Sequence, residues 1–493
     1  MKRRALVAAG SGLLLWALMP LAAQGPAAPS YKDLKYPALG AIQIPPVATF
    51  TLPNGMKLYL LEDHELPVVN GTALVRTGNL FDPRDKVGLA SLTGTVMRTG
   101  GTRAKTGEQL DEQLENIAAS VESGIGESSG SVSFSALKEN TAEVLAVFRD
   151  VLTAPEFRQN KLDLAKSQMR SSISRRNDNA ESVAEREFSD IVYGKDTPYG
   201  WTEEYATIGR ITRADLQDFY RRYFFPANVM LGIRGDFDTA AMKAQLEKLF
   251  ADWTVTQPPV PPFPKAEPAP PGGTYLAVKT DVTQTFFAIG QQGGELRDKD
   301  YPALTIMTDI LGGGFQSRLL ERIRTQMGNA YNIGANWDAR YDHPGLFEIN
   351  GGTKSRSTVE TIQAIREEVD RIRTTEVTEA ELKTAKDTAL NGLVFAFDTK
   401  AKTLGRLLTY EYYGYPRDFL QQYQKALAAV TRADVLRVAK EHIDPAHFTL
   451  VTVGNPQEFG QRLETLGSPV HPIDLTIPSD KPAGGPNPGD AKR

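Results

Sequence analysis

The sequence predicts an α+β protein of two homologous halves, each an antiparallel-rich sheet layered with helices, in a clamshell-like repeat. Three observations carry this expectation. The string Thr212-Arg-Ala-Asp215 returns as Thr431-Arg-Ala-Asp434, an offset of 219. At that offset Pro226-Ala227 meets Pro445-Ala446, Leu231 meets Leu450 and Gly235 meets Gly454, giving eight identities in 24 ungapped positions. A proline-rich stretch, 257–273, lies between the two copies. Strand-like runs and hairpin signals alternate with long helical patterns, as sheet-and-helix layers require.

Taken in order, Lys2, Arg3 and Arg4 precede an apolar run over 5–21, and Ala22 and Ala23 follow. A basic start, a short apolar core and a small-residue exit read as a secretory signal peptide over 1–23. A membrane span needs about 20 apolar residues, and Gly10, Ser11 and Gly12 interrupt this run. A retained anchor is the alternative. The expected location is therefore secreted, in the periplasm for a Gram-negative source, with no integral membrane segment in the mature chain. Residues 24–47 form an Ala/Pro-rich lead-in, and 48–256 the N-terminal domain. Asn54-Gly55 between 50–52 and 56–61 is a hairpin signal. Strands are expected at 68–75 and 129–134, and helices at 106–118, 140–152 and 161–177. In the repeated unit a Thr with an acid three residues on caps a helix, a proline stops it, and an apolar strand follows at 229–233. Residues 257–273 are a linker, because proline withholds backbone donors and favours extended chain. The C-terminal domain, 274–467, carries strands at 285–289, 346–350 and 448–453, with helices at 300–310, 359–374 and 379–396. Residues 468–493 are read as a flexible, Pro/Gly-rich tail. Linker and tail are the expected sites of first proteolytic nicking.

Of 493 residues, 41% are hydrophobic and 24% charged, an ordinary globular balance. The 56 basic residues against 60 acidic ones leave a net charge of −4 and no basic excess for nucleic acid. There is no cysteine, hence no disulfide and no cysteine-linked lipid.

Several strings carry a family likeness. They are Gly88-Leu-Ala90 leading to Gly100-Gly-Thr102, Leu152-Thr-Ala-Pro-Glu-Phe157, and Leu311-Gly-Gly-Gly-Phe-Gln-Ser-Arg-Leu319 continuing to Ala330-Tyr331. In this order over 48–467 the chain resembles the pitrilysin/insulinase family of zinc metallopeptidases, in particular its short bacterial two-domain members and the subunits of mitochondrial processing peptidase. The resemblance implies a zinc helix bearing His-x-x-Glu-His after the Gly-x-Ala start, with a further glutamate about 76 residues on. Here Ser91 and Thr95 stand at the histidine positions, Gly94 at the base and Ser172 at the third ligand. The five histidines are His64, His343, His442, His447 and His471, and none is spaced His-x-x-x-His. A catalytic zinc needs three protein ligands, so no intrinsic metal or other cofactor is expected. The string Glu441-His442-Ile-Asp444-Pro-Ala-His447 is the other cluster, but it straddles a helix end and reads as a solvated terminus. His64 reads as a hairpin tip and His343 as part of a turn.

The resemblance also implies an Arg and a Tyr, seven residues apart, that bind substrate backbone and steady the oxyanion. Arg324 and Tyr331 have that spacing, and a guanidinium with a phenol suits developing negative charge. Arg318 and Arg322 are expected in structural roles. Gly312, Gly313 and Gly314 lack the Gly-Lys-Ser/Thr of a phosphate loop. The likeness to the zinc-free processing-peptidase subunit implies substrate binding there; a flexible turn is the equal alternative. The basic run 170–176, with Lys161 and Lys166, reads as a solvated helix face. The expected function is a non-zinc partner subunit, inactive alone, that acts on peptide substrates with a zinc-bearing paralogue carrying His-x-x-Glu-His. The alternatives are a catalytically inert peptide-binding or scaffold protein, and a lone peptidase with an unfamiliar site.

Overall fold

The computed structural model describes residues 45–270 and 272–479. The signal peptide expected at 1–23, the lead-in up to residue 44, Pro271 and the tail beyond 479 lie outside the described residues.

The first half runs through β1 (Ala48–Thr51), β2 (Lys57–Glu62), β3 (Val68–Val75), α1 (Leu89–Thr99), α2 (Gly107–Glu115), β4 (Ser120–Ile125) and β5 (Gly130–Leu137). It continues through α3 (Thr141–Thr153), α4 (Gln159–Arg175), α5 (Ala180–Tyr193), α6 (Tyr205–Arg210), α7 (Arg213–Tyr223), β6 (Val229–Gly235) and α8 (Thr239–Leu249). The expected Asn54-Gly55 turn joins β1 to β2, with Gly55 at φ 91°, a left-handed value that favours glycine. The sheet order is β1-β2-β6-β3-β5-β4, with β2 and β6 parallel and the other neighbours antiparallel.

The second half holds β7 (Thr274–Val278), β8 (Gln284–Gln292), α9 (Tyr301–Gly312), β9 (Ala330–Asp338), β10 (Leu346–Lys354), α10 (Thr358–Thr374) and α11 (Glu379–Val394). Then come α12 (Lys400–Tyr413), α13 (Phe419–Ala429), α14 (Arg432–His442), β11 (Thr449–Gly454) and β12 (Val470–Ile473). Its sheet order is β12-β7-β11-β8-β10-β9. Five strands match the first sheet in order and direction, including the parallel pair β7 and β11. The repeated unit is the same object twice: helix α7, a 3-10 turn at Pro226–Asn228 and strand β6 return as α14, Pro445–His447 and β11. Both helices start on a capping box. Thr212 Oγ1 accepts the Asp215 N–H at 3.3 Å while Asp215 accepts the Thr212 N–H at 2.8 Å. Thr431 and Asp434 repeat this at 3.2 and 3.0 Å.

Two expectations need correction. Residues 468–479 are not a loose tail. Strand β12 pairs in parallel with β7, and Asn177 Nδ2 donates to Leu475 O at 2.7 Å. Proline content hid the apolar residues Ile473, Leu475 and Ile477, which pack on the cores; Pro472 is tolerated because β12 is an edge strand. The linker has no helix or strand, yet it is fastened to the first half. Arg222 donates to Pro258 O and Pro259 O, both at 3.0 Å, and Tyr199 OH to Pro264 O at 2.8 Å. Phe263 stacks on Phe81, and the Arg76 guanidinium lies 4.4 Å from the Phe263 ring centre.

One face of each sheet packs on helices of its own half. Leu58, Val69, Phe134 and Leu231 meet Leu92, Val96, Phe148 and Leu216 in the first core; Ile289, Phe347 and Leu450 meet Leu304, Ile365 and Val435 in the second. The opposite faces are covered reciprocally. Helix α5 lays Val183, Ala184, Phe188 and Val192 on Ala277, Ala288, Val451 and Val453 of the second sheet. Helix α12 lays Leu404 and Leu408 on Tyr59 and Leu61 of the first. Hairpin tips follow the same exchange: Tyr413 OH meets Ser128 Oγ of the β4–β5 turn at 2.7 Å, and Tyr193 OH donates to Pro344 O of the β9–β10 turn at 2.9 Å. Strands sandwiched this way read as continuous apolar runs, which explains Leu58-Tyr-Leu-Leu61 and the fully buried β11. Phe188→Ala is therefore expected to lower stability by about 3–5 kcal/mol in urea unfolding, with both halves unfolding in one transition. Separate transitions for the two halves would contradict the exchange.

Candidate functional site

Helix α1 starts at Leu89, and its N-cap is Gly88, whose left-handed φ of 100° favours glycine, which has no side chain to cap with. Asp82 supplies one from outside the helix. Its carboxylate accepts the Gly88 and Ala90 N–H groups at 2.8 and 2.9 Å. Burial pushes this carboxyl up to about 7, against the downward pull of the two donors. The hydroxyls that stand at the ligand positions are spent locally. Ser91 Oγ donates to Asn79 Oδ1 at 3.2 Å, Thr95 Oγ1 to Ser91 O at 3.0 Å, and Ser172 Oγ to Gln168 O at 3.3 Å. Thr95 and Ser172 do share a cleft of about 430 Å³ between α1 and α4, lined also by Leu92, Met169, Arg186 and Glu203. Its one acid, Glu203, falls short of a three-ligand set, so these residues do not fit a zinc ion.

Gly94 closes the question of the base. A Cβ placed there would lie 2.4 Å from Ile125 N and 2.7 Å from Gly124 C of β4. Helix and strand touch backbone to backbone, and Ser123 Oγ donates to Gly94 O at 2.6 Å. Among the described residues, Asp300, Glu441 and His442 bring three potential ligand atoms within 4.8 Å of one another. A guanidinium already sits there: Arg437 donates to Asp300 at 2.7 and 3.2 Å and to Glu441 at 2.8 Å, with His442 Nε2 2.9 Å from Asp300. The Arg437 hydrogen bonds hold Asp300 low, at about 2, as in a structural ion cluster. His447 instead pairs with Asp444 at 2.6 Å, and His64 with Asp236 at 2.6 Å. The string 441–447 does not converge on one point.

The second half brings its candidate residues together. Arg324 lies in a π-helical turn, Leu320–Gln326, a feature frequent at functional sites. Tyr331 opens the edge strand β9. The guanidinium is 5.0 Å from the Tyr331 ring centre and 5.8 Å from that of Phe315. Tyr331 and Phe315 are 82% and 85% exposed, which is extreme for large rings. Phe315 was missed in the sequence; an aromatic directly after a glycine triplet was its only local signal. Among the described residues no carboxylate pairs with Arg324. Its neighbours are committed, as expected: Arg318 to Glu381 at 2.6 and 3.2 Å, and Arg322 to Glu368 at 3.0 Å. The glycines differ in kind. A Cβ on Gly312 would meet Ala335 N at 2.4 Å and one on Gly313 would meet Asp309 Oδ1 at 2.5 Å, whereas Gly314 faces open space. Gly313 and Gly314 line a cleft of about 500 Å³ against α11, and Gly312 does not.

Chain purified alone is expected to hold far less than one zinc after dialysis. Gly94→Ala should cost about 1–3 kcal/mol by overpacking, and the triple substitution Ser91→His, Gly94→Glu, Thr95→His should still fail to retain zinc. Near-stoichiometric zinc in either protein, by elemental analysis, would contradict the steric account.

Residues 59–199 match the profile described as Insulinase (Peptidase family M16), and 210–389 match Peptidase M16 inactive domain. An "Uncharacterized zinc protease" of Rickettsia bellii is 25% identical over 61% of this chain and 72% of its own. A "Non-peptidase homolog" of Helicobacter pylori is 23% identical over 80% of this chain and 91% of its own. The crystal structure of a peptidase M16 inactive domain from Pseudomonas fluorescens superposes with a TM-score of 0.73 at 23% identity, covering 83% of this chain and 98% of that one. With profiles of one family spanning both halves and this two-sheet architecture, the chain belongs to the insulinase family, peptidase family M16.

Proposed function

We propose that this chain is the non-zinc partner subunit of a secreted or periplasmic insulinase-like metallopeptidase. The observation that carries the reading is the exposed Phe315–Arg324–Tyr331 stack, which survives while the zinc position holds hydroxyls and a sealed glycine. A zinc-bearing paralogue with His-x-x-Glu-His supplies the metal chemistry. This chain contributes Arg324, a fork of donors for peptide carbonyls, and Tyr331, whose phenol O–H can meet the oxyanion. Stacking on two rings orients the guanidinium without neutralising it, so its charge stays available to substrate. Edge strand β9 beside them offers unpaired backbone groups to an extended peptide. The second reading, a catalytically inert peptide-binding or scaffold protein of the same fold, draws on the Helicobacter relative named as a non-peptidase homolog.

Peptide cleavage by the paralogue mixed with variants of this chain separates the two readings. Tyr331→Phe should lower kcat by about 10²–10³ while assembly, followed by size-exclusion chromatography, is unchanged. Arg324→Ala should lower kcat/KM, because it also removes a substrate-backbone contact. Ser91→Ala should do little. Wild-type turnover with Arg324→Ala and Tyr331→Phe combined leaves the scaffold reading.

A further inference from the structure

The cleft beside the glycine triplet holds two polar groups that none of the described residues satisfies. Asp309, near the end of α9, is half-buried, and among the described residues no side chain or backbone N–H donates to its carboxylate. Ser317, also in the lining, is 3% exposed and its Oγ has no hydrogen-bond partner. The other acid, Glu381, is already neutralised by Arg318 and bonded by Thr378. No Lys, Arg or His is in the lining; the remaining walls set Ile310, Ala380 and Ala385 beside the uncharged polar side chains of Gln316, Thr384 and Thr388. Phe315 stands on the rim, and Gly314 next to it has open space.

An unpaired buried carboxylate is costly unless a cation is brought to it. A mainly apolar, otherwise uncharged cleft with one uncompensated acid and one free hydroxyl fits a cation on an aliphatic stem. We propose that this cleft receives a lysine or arginine side chain of a bound peptide, its cationic head on Asp309 and Ser317 Oγ and its methylenes against Ile310 and Ala385. An ammonium has three donors and a guanidinium five, enough for both acceptors. Phe315 on the rim links the cleft to Arg324 and Tyr331, so one extended peptide reaches all of them; the inference rests on the reading that the chain binds peptides.

Burial pushes the Asp309 carboxyl up to about 6. The titratable groups facing it from neighbouring helices are Glu381 of α11, held ionised by Arg318, and Tyr423 of α13, which stays neutral. Cation binding needs ionised Asp309, so it strengthens as pH rises through about 6 and fades below.

The test uses the full chain and a fluorescent ten-residue peptide with one central lysine between leucines, followed by anisotropy beside its norleucine and arginine counterparts. At pH 7.5 the lysine and arginine peptides are expected to bind roughly tenfold or more tighter than norleucine. That preference should vanish at pH 5 and in Asp309→Asn, and weaken in Ser317→Ala, with norleucine binding unchanged. Asp309→Asn should melt no lower than wild type, since it removes an unpaired buried charge. Equal binding of lysine and norleucine peptides, or a preference kept by Asp309→Asn, overturns the subsite while leaving peptide binding intact. Displacement of the lysine peptide by an equal concentration of free lysine amide assigns the cleft to small amines instead, and no binding of any peptide by folded chain removes both readings.

Discussion

Each six-stranded sheet has two faces to bury, and each half covers only one with helices that stay at home. The second face is closed by α5 in one direction and α12 in the other. Everything else inherits this exchange. It makes β2, β6, β8 and β11 sandwiched strands, and it leaves neither half with a complete core of its own. It also sets Gly232 beneath α12, where a Cβ would lie 2.4 Å from Leu408 Cδ1. Ion pairs seal its rim: Asp63 of the first half accepts from Arg234 at 2.8 Å and from Lys400 of α12 at 2.6 Å. The hydrophobic area supplies most of the stability, and the pairs fix where the helix lies.

The repeat also explains how one scaffold carries two different sites. Gly94 and Gly312 press on the edge strands in the same manner, each with its missing Cβ 2.4 Å from a backbone nitrogen, Ile125 in one half and Ala335 in the other. Three residues before each glycine stand Ser91 and Asp309. The first half uses this corner for a hydroxyl bonded to Asn79. In the second it holds the Asp309 carboxyl beside a cleft, with no donor to it among the described residues. At the position where the family resemblance expects the base, backbone contact between Gly94 and β4 leaves no room for a glutamate side chain.

Local signals were legible. The capping boxes, the prolines after α7 and α14 and the strands behind them are set by neighbours in sequence, so the 219-residue offset exposed both halves. Arg324 and Tyr331 were singled out through the family resemblance, whose seven-residue spacing they keep. What escaped was long-range. Helix α5 has a clean stripe at Ala180, Val183, Ala184, Phe188 and Val192, but a stripe does not say which sheet it covers, and α5 and α12 were not among the expected helices. Strand β12 was hidden by its prolines. Asp309 looked like any acid in a helix, since its isolation comes from α11, which arrives 70 residues later. Phe315 gave no sign that its ring would stand in solvent against Arg324.

The central proposal is that this chain supplies the substrate side of an insulinase-like site while a paralogue supplies the metal. The most direct measurement is cleavage of an unfolded polypeptide by the purified chain, by its zinc-bearing paralogue and by the two together. The account predicts no products from this chain alone, with or without added zinc, and cleavage when the paralogue is present that rises on addition of this chain. Chelator-sensitive hydrolysis by the isolated chain would contradict it.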